Sequence, residues 1–165
     1  MIIRKATKDD LDEIMAVYDK ARQFMRDSGN DRQWINGYPH RELVESDIEK
    51  SELFVCDEKG ETAAVFAFII GDDPTYAYIE DGSWKSNTLY GTIHRIGSTG
   101  KYRGMGKFCF DYCKSCIGHL RGDTHKANLN MQKQFINNGF ERCGIIYVDD
   151  GTPRIAYEYI SENND

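Results

Sequence analysis

The sequence lacks any long hydrophobic run, since no window approaches the ~18 consecutive apolar residues that a membrane-spanning helix needs. It also lacks an apolar leader, because its first residues, MIIRKATKDD, carry charges from position 4 onward. Basic residues are outnumbered, with 21 Lys and Arg against 27 Asp and Glu and a net charge of -6. We therefore expect a cytoplasmic protein with neither a membrane nor a nucleic acid as partner, because phosphate backbones bind basic surfaces.

Internal repeats, low-complexity segments and linkers are also missing, and cysteine occurs five times, an odd number. In the absence of an export signal we interpret the five cysteines as reduced thiols. A chain of 165 residues is the size of one domain. Such a chain buries ~70% of its unfolded surface without added cross-links. We expect one domain over residues 1–160 and a frayed tail at 161–165.

What the sequence does contain is a mixture of helical and strand patterns, which indicates a mixed α/β fold. Apolar residues at helical spacing predict helices within residues 7–27, 41–50, 108–117 and 127–138. Strands are predicted within residues 1–6, 76–80, 89–96 and 120–125, and as hairpins at 52–70 and 140–160. Because hairpins pair antiparallel neighbours, we expect a mostly antiparallel sheet.

A segment rich in glycine and cations, GSTGKYRGMGKF at residues 97–108, joins a predicted strand to a predicted helix. Glycine lets the backbone approach a ligand closely, and a helix N-terminus offers unpaired N–H groups with partial positive charge. These features favour a bound phosphate or pyrophosphate. The spacing of Gly100 and Gly106 does not fit a P-loop, and GMGKFC lacks the third glycine of a dinucleotide-binding turn. A tight turn without a ligand stays an alternative at this point.

The residues KYRGMG, at positions 101–106, resemble the acetyl-CoA signature of the GNAT N-acetyltransferases, [Gln/Arg]-x-x-Gly-x-[Gly/Ala]. Lys101 replaces the first Gln or Arg, which keeps a cation. Residues 2–18 are similar to the opening strand and helix of that family, and residues 123–147 to its second cofactor segment. There Asn128 and Gly139-Phe140 fall on the Asn and the Gly-Phe of the family. The resemblance covers residues 1–160.

This resemblance implies the GNAT fold, a mixed and largely antiparallel sheet flanked by helices and splayed between its fourth and fifth strands at the cofactor cleft. It also implies acetyl-CoA as co-substrate, with pantetheine in the cleft, and no metal. Backbone groups would bind pantetheine at the end of the fourth strand and pyrophosphate at the turn. The implied cofactor-binding residues are Ile96, Ser98, Lys101, Tyr102, Arg103, Gly104, Met105, Gly106, Lys107 and Asn128.

Acetyl transfer to an amine needs a base, a polarised thioester carbonyl and a stabilised thiolate. His94 is a candidate base because imidazole titrates near neutral pH and His94 comes just before the glycine turn. The alternative is a hydrogen-bonded strand histidine. Strand alternation would place His94 on one face with Tyr90, Thr92 and Ile96. Glu80 is a second candidate, either as a carboxylate that deprotonates or orients a cationic amine, or as part of a solvated acidic turn.

Two catalytic residues found in members of the family are absent. Gly91 stands where some members carry a catalytic Glu, and Phe135 stands where many carry the Tyr that protonates coenzyme A. Phenylalanine has no proton to give, so another group or solvent would serve. Tyr90 and Tyr112 are candidates that the sequence does not rank.

Trp34 and Tyr38 belong to a polar loop between the first two predicted helices, a region that shapes the acceptor pocket in the GNAT family. They are candidate substrate-binding residues, together with Glu80, because binding residues concentrate in loops. Aromatic side chains in a polar loop also need cover, so packing on the core is the alternative.

A competing pattern is the C-x3-C-x2-C spacing of Cys109, Cys113 and Cys116, which radical-SAM enzymes use to bind an iron–sulfur cluster. The same spacing is one face of a helix, on which buried cysteine acts as a small hydrophobic residue. A fourth ligand for zinc is not evident, so helix packing is favoured.

With the resemblance, these residues predict an enzyme that transfers an acetyl group from acetyl-CoA to a primary amine of a small molecule by direct transfer. A protein N-terminus or lysine is the competing acceptor. The alternative function is a catalytically weak acyl-CoA-binding domain, favoured by the absence of both family residues at Gly91 and Phe135. A homodimer is one expected assembly.

Overall fold

The computed structural model describes residues 1–163 as four α-helices and seven β-strands. The helices are α1 (Leu11–Asp27), α2 (Arg41–Glu49), α3 (Met105–Cys116) and α4 (Leu129–Asn137). The strands are β1 (Ile2–Lys5), β2 (Leu53–Glu58), β3 (Glu61–Ile70), β4 (Gly91–Ser98), β5 (His119–Thr124), β6 (Glu141–Tyr147) and β7 (Pro153–Ile160). Within the described residues no helix is long and apolar enough to cross a membrane.

The strands form one open sheet in the order β1-β2-β3-β4-β5-β7-β6. Strand pairs β1/β2, β2/β3, β5/β7 and β6/β7 are antiparallel, whereas β4 pairs in parallel with β5 at Gly91↔Leu120 and Thr92↔Arg121. The expected mixed α/β fold with a mostly antiparallel sheet is therefore confirmed. The β2–β3 turn has positive φ at both Lys59 and Gly60, which suits a tight hairpin between twisted strands.

The contacts divide the chain into two compact units, and the first contains Met1–Phe68 and His94–Cys109. Its core is formed by α1, α2, β2 and β3, with fully buried side chains such as Ile14, Tyr18 and Val44. Helix α1 follows a short 3-10 turn in which the Asp10 carboxylate accepts a hydrogen bond from the Thr7 N–H at 2.7 Å.

The second unit contains Ile69–Ile93 and the chain from Phe110 onward. Its aromatic core includes Phe110, Phe135, Phe140 and Tyr157, and the Phe135 and Tyr157 rings stack with centroids 4.6 Å apart. Helix α4 ends where Gly139 takes a φ of +86°, a left-handed conformation that glycine adopts without strain.

The strand predicted at residues 76–80 is wrong. Residues Pro74–Tyr76 form a short 3-10 turn, and in this stretch Glu80 alone pairs, through a single bridge with Ile145. Side-chain packing explains the difference: Tyr76 is buried and donates a hydrogen bond to Asp123 at 2.6 Å, so the chain there is fixed by side chains. That residues 1–160 form one domain stays a prediction. Of the tail predicted at 161–165, residues 164 and 165 lie outside the described chain.

Candidate functional site

The glycine turn lies in the first unit, between the end of β4 and the start of α3. Gly100 and Gly104 have φ values of +77° and +75°, a backbone conformation that favours glycine. A Cβ atom added at either position would find no heavy atom within 4 Å, so both stretches of backbone face open space. The Gly104 carbonyl accepts from the Phe108 N–H at 3.0 Å and starts the helix. The first N–H groups of α3 therefore have no acceptor within the helix and can bind an anion.

The predicted cofactor residues of this turn differ in exposure. Lys101, Arg103 and Lys107 are exposed, whereas Met105 is buried with 7% of its surface accessible. Met105 can therefore bind a coenzyme only through its backbone. Tyr102 is half-buried and lies beneath the Lys101 ammonium, 5.4 Å from it. The turn thus presents backbone N–H groups and exposed cations around an anchored methionine.

Strand β4 does not keep the alternation that the sequence predicts. Arg95 has a φ of +50°, a left-handed conformation that interrupts an extended strand. The expected common face of His94 and Ile96 assumes unbroken alternation, which Arg95 interrupts, so it stays a prediction. His94, Ile96 and Ser98 are each half-buried, and Gly97 is buried.

Gly97 approaches helix α1 closely. A Cβ atom at this position would lie 3.2 Å from Ala21 Cβ and 3.3 Å from Tyr18 Cδ1. The end of β4 is therefore held against α1 with little room for a side chain.

The loop residues Trp34 and Tyr38 lie near Arg95, in the same unit. The Trp34 ring packs edge-on against the rings of Tyr18 and Tyr38, with centroids 5.5 and 6.4 Å apart. The Tyr38 hydroxyl accepts a hydrogen bond from the Arg95 guanidinium at 3.3 Å. Trp34 also lines an open depression of about 280 Å³ together with Arg22. Trp34 is consequently both packed on the core and accessible, which combines the two interpretations of its sequence.

Glu80 belongs to the second unit, where a bridge to β6 fixes its backbone. Its backbone N–H and carbonyl both bond to Ile145, at 3.0 and 2.8 Å. Its carboxylate accepts from Tyr78 at 2.9 Å and from Tyr147. The hydrogen bonds from Tyr147 and then from Tyr78 lower the pKa of Glu80 below its ordinary value. The carboxylate is therefore ionised at neutral pH, which suits binding of a cation better than removal of a proton.

Asn128 caps helix α4 in the second unit, where its side-chain oxygen accepts from the Met131 N–H at 3.0 Å. Phe135 follows on that helix and is fully buried against β5, since a Cβ at Gly122 would lie 2.7 Å from its ring. The family position of the proton-donating Tyr is thus occupied here by a core side chain.

Cys109, Cys113 and Cys116 all lie on helix α3, whereas radical-SAM enzymes bind their cluster from a loop. Cys109 and Cys113 are buried and Cys116 is exposed, and none of the five cysteines, all within the described residues, forms a disulfide. Among residues 1–163 no three His, Cys, Asp or Glu side chains are grouped so that they could hold a metal ion. The helical interpretation of the cysteine spacing is therefore favoured.

Sequence reasoning missed a buried ion pair beside the candidate base. Nε and Nη2 of Arg95 lie 2.9 Å from Oδ2 of Asp47, and the two side chains are 12% and 5% exposed. The signal for Asp47 was its position between Val44 and Ile48, on the apolar face of a predicted helix.

A second buried cluster lies in the second unit, where no role was predicted for His119. His119 Nε2 lies 2.7 Å from Glu158, and the Arg121 guanidinium stacks between Trp84 and Tyr90 at 4.1 Å from each ring. These contacts attach the connection between β3 and β4 to strands β5 and β7.

Comparison with known proteins identifies structural relatives. A scan against models of protein families found no match, and a search of curated proteins found none either. Among solved structures, an acetyltransferase of the GNAT family from Streptococcus agalactiae 2603 is 32% identical, with a TM-score of 0.88 over 98% of this chain and 96% of that one.

Two more distant structures share the fold alone. A GNAT-family acetyltransferase from Listeria monocytogenes 4b F2365 is 16% identical, with a TM-score of 0.71 over 96% of this chain and 94% of its own. The GNAT-like decarboxylase GphF, in complex with isobutyryl-CoA, is 12% identical, with a TM-score of 0.66 over 97% and 99%. The match to the streptococcal protein extends over nearly the whole of both chains, and this chain therefore belongs to the GNAT family of acetyltransferases.

Proposed function

We propose that this protein transfers an acetyl group from acetyl-CoA directly to a primary amine of a small molecule. The open glycine turn carries the proposal, because the left-handed Gly100 and Gly104 expose backbone at the N-terminus of α3 beside three exposed cations. A pyrophosphate is a ligand that such a turn binds well.

Residues 96–107 bind the coenzyme in this proposal. N–H groups at the start of α3 hold the pyrophosphate, and the side chains of Lys101, Arg103 and Lys107 add positive charge. The backbone of Ile96 and Ser98 pairs with pantetheine, as the family resemblance implies. Asn128 stays a coenzyme-binding residue that the family resemblance alone implies.

His94 is the proposed base for the amine, and Trp34 and Tyr38 are proposed to contact the acceptor. The ionised Glu80 favours an acceptor that carries positive charge. Phe135 cannot protonate the departing thiolate, so solvent or another hydroxyl supplies that proton. A small-molecule acceptor, a cytoplasmic location and a homodimer stay predictions.

The coenzyme assignment is tested by calorimetric titration with acetyl-CoA, together with a visible absorbance spectrum. We expect binding by a colourless protein, and loss of binding in Gly104→Trp, whose side chain would fill the anion site. Gly151→Trp is the matched control, because Gly151 has a φ of +82° and equally open surroundings but lies in the β6–β7 hairpin. Equal affinities of the two variants would disprove the pyrophosphate assignment.

The catalytic assignment is tested by thiol release from acetyl-CoA across a panel of amines. We expect His94→Gln to lower kcat by ~10²–10⁴-fold without weakening acetyl-CoA binding, since a general base contributes about that much. His40→Gln, which changes an exposed histidine before α2, should leave kcat unchanged.

A catalytically weak acyl-CoA-binding domain is the second candidate function. The observation that favours it is the burial of Phe135 at the position of the family's proton donor. Tight acetyl-CoA binding without turnover of any amine in the panel would support this second function and contradict the first.

A further inference from the structure

Arg95 is the point at which β4 leaves the extended path. Its φ of +50° is uncommon for a residue with a side chain, and such conformations persist only where the surroundings hold them. The residues that follow, Ile96 and Ser98, are those proposed to bind pantetheine. What holds Arg95 therefore also sets the course of the coenzyme strand.

The backbone of Arg95 is held by helix α1. The Tyr18 hydroxyl donates to the Arg95 carbonyl oxygen at 2.8 Å, and Tyr18 is fully buried. Burial raises the pKa of Tyr18, so this hydroxyl keeps its proton and stays a donor. The same ring lies against Gly97, where a Cβ would be 3.3 Å from it.

The side chain of Arg95 is held by α2 and by the loop before it. Its guanidinium makes the buried pair with Asp47 and donates to the Tyr38 hydroxyl at 3.3 Å. A buried ion pair rarely adds net stability, because removing two charges from water costs about as much as their attraction returns. The pair is better explained by the position that it gives to Arg95.

These contacts close a ring of four residues, in which Arg95 bonds to Tyr18 through its backbone carbonyl and to Tyr38 through its side chain. Tyr18 bonds to Arg95, Arg95 bonds to Tyr38, the Tyr38 ring contacts Trp34, and Trp34 contacts Tyr18. Strand β4 and the loop that carries Trp34 and Tyr38 are therefore linked at two separate points. A shift of one must be accommodated by the other, because packed side chains leave little free space.

We propose that Arg95 is a positioning residue that couples the coenzyme strand to the loop carrying Trp34 and Tyr38. A shift of residues 96–98 on acetyl-CoA binding acts on Arg95, and Arg95 with Tyr18 transmits that shift to Trp34 and Tyr38. This inference rests on the proposed function, because it takes residues 96–98 as the coenzyme strand. It adds a mechanical link between the coenzyme strand and the acceptor loop, with Arg95 as the residue that makes it.

Trp34 itself reports on the coupling. The chain has two tryptophans, so a Trp84→Phe background leaves Trp34 as the one emitter when excitation is at the red edge of tryptophan absorption. We expect acetyl-CoA to change Trp34 fluorescence saturably, with the same midpoint as the heat of binding. Tyr18→Phe and Tyr38→Phe, added singly, break the ring at two different points and should abolish the fluorescence change while acetyl-CoA still binds.

Tyr76→Phe in the same background is the matched control. It also removes the hydroxyl of a buried tyrosine, one that donates to Asp123, but it leaves the ring around Arg95 intact. Its fluorescence change should match that of the background, and thermal melting of every variant checks that it is folded. Tyr38→Phe, at a half-buried position, keeps the test valid if Tyr18→Phe does not fold.

The outcomes separate the two proposals. Absence of any heat of binding with acetyl-CoA would disprove the proposed function, and this inference with it. Binding without a change in Trp34 emission would overturn the inference alone, as would a change that survives in both ring variants. Once an acceptor is known, the ring variants should lower kcat more than they weaken acetyl-CoA binding.

Discussion

The Lys101 ammonium, in the glycine turn, lies 2.8 and 3.0 Å from the two carboxylate oxygens of Glu61, the first residue of β3. The hydrogen bond with Glu61 and its charge raise the pKa of Lys101 above the ordinary value. Lys101 is also the residue that stands first in the coenzyme signature. A pyrophosphate that binds at this turn must therefore compete with Glu61 for the same cation.

We predict that Glu61→Gln tightens acetyl-CoA binding by ~2–5-fold. The substitution removes an anion that competes for Lys101, and the ion pair that is lost is an exposed and therefore weak one. Calorimetric titration at low and at moderate salt measures the effect, which should shrink with salt. In a Lys101→Met background the same substitution should change the affinity little. Equal tightening in both backgrounds would show that Glu61 does not act through Lys101.

Thiol reactivity should single out Cys116. Cys56, Cys109 and Cys113 are fully buried, and burial together with the Glu158 carboxylate raises the pKa of Cys143 to about 11. Cys116 is the last residue of α3 and is exposed. In the folded protein a chromogenic disulfide reagent should react rapidly with one thiol, and with none in Cys116→Ser. Unfolding should release all five; rapid reaction of a second thiol in the native state would contradict this packing.

Gly122 and Phe135 should be energetically coupled. An added methyl group at Gly122 would lie 2.7 Å from the Phe135 ring, so Gly122→Ala should lower the free energy of unfolding by ~1–3 kcal/mol through overpacking. Phe135→Leu vacates part of that volume, so the double variant should lose less than the sum of the single losses. Urea denaturation of the four proteins measures the coupling, and strict additivity would argue against the contact.

Asp10 should make stability depend on pH in the acid range. The hydrogen bonds from Arg4, helped by the Thr7 N–H, lower the pKa of Asp10 to about 2, against the opposing effect of burial. A carboxyl with a depressed folded-state pKa stabilises the fold above its unfolded pKa. That contribution is lost as the pH falls from ~4 through about 2.

Urea denaturation between about pH 5 and pH 2.5 measures this contribution from Asp10. Asp10→Asn should be less stable than the parent protein at pH 5 and should lose less stability on acidification. Asp12→Asn, whose parent carboxylate is 90% exposed, should follow the parent curve. An Asp10→Asn curve parallel to that of the parent would show that the pairing with Arg4 contributes nothing.

The elements that sequence patterns predict well are those fixed by local chemistry. The hairpin predicted at 52–70 turns at Lys59-Gly60. The helices predicted within 7–27 and 127–138 are bounded by the Thr7–Asp10 hydrogen bond and by Gly139, and each of these features depends on residues a few positions apart. The same holds for the glycine turn, because its left-handed positions require glycine. The family resemblance follows from these local features in their order along the chain.

The features that were not predictable depend on distant partners. No local rule places Arg95 in a left-handed conformation, since its geometry is fixed by Tyr18 and Asp47, which lie 77 and 48 positions away. Residues 76–80 resemble a strand because they include Tyr76 and Ile79, yet Tyr76 is buried in a hydrophobic cluster and Ile79 packs partly buried against it, and neither pairs in a strand ladder. Tertiary packing overrides strand propensity in such places.

The connection between β3 and β4 has little regular structure, yet internal hydrogen bonds close it on itself and it packs closely on β6 at Gly82. A Cβ at Gly82 would lie 1.9 Å from the Cys143 carbonyl oxygen, Trp84 Nε1 donates to the Tyr76 carbonyl at 2.9 Å, and the Gly71 N–H bonds to the Tyr90 carbonyl at 3.0 Å. This segment should therefore resist proteolysis, and its amides should exchange as slowly as those of the folded protein around it. Grafting it onto another scaffold would fail unless the strands that it packs on were transplanted too.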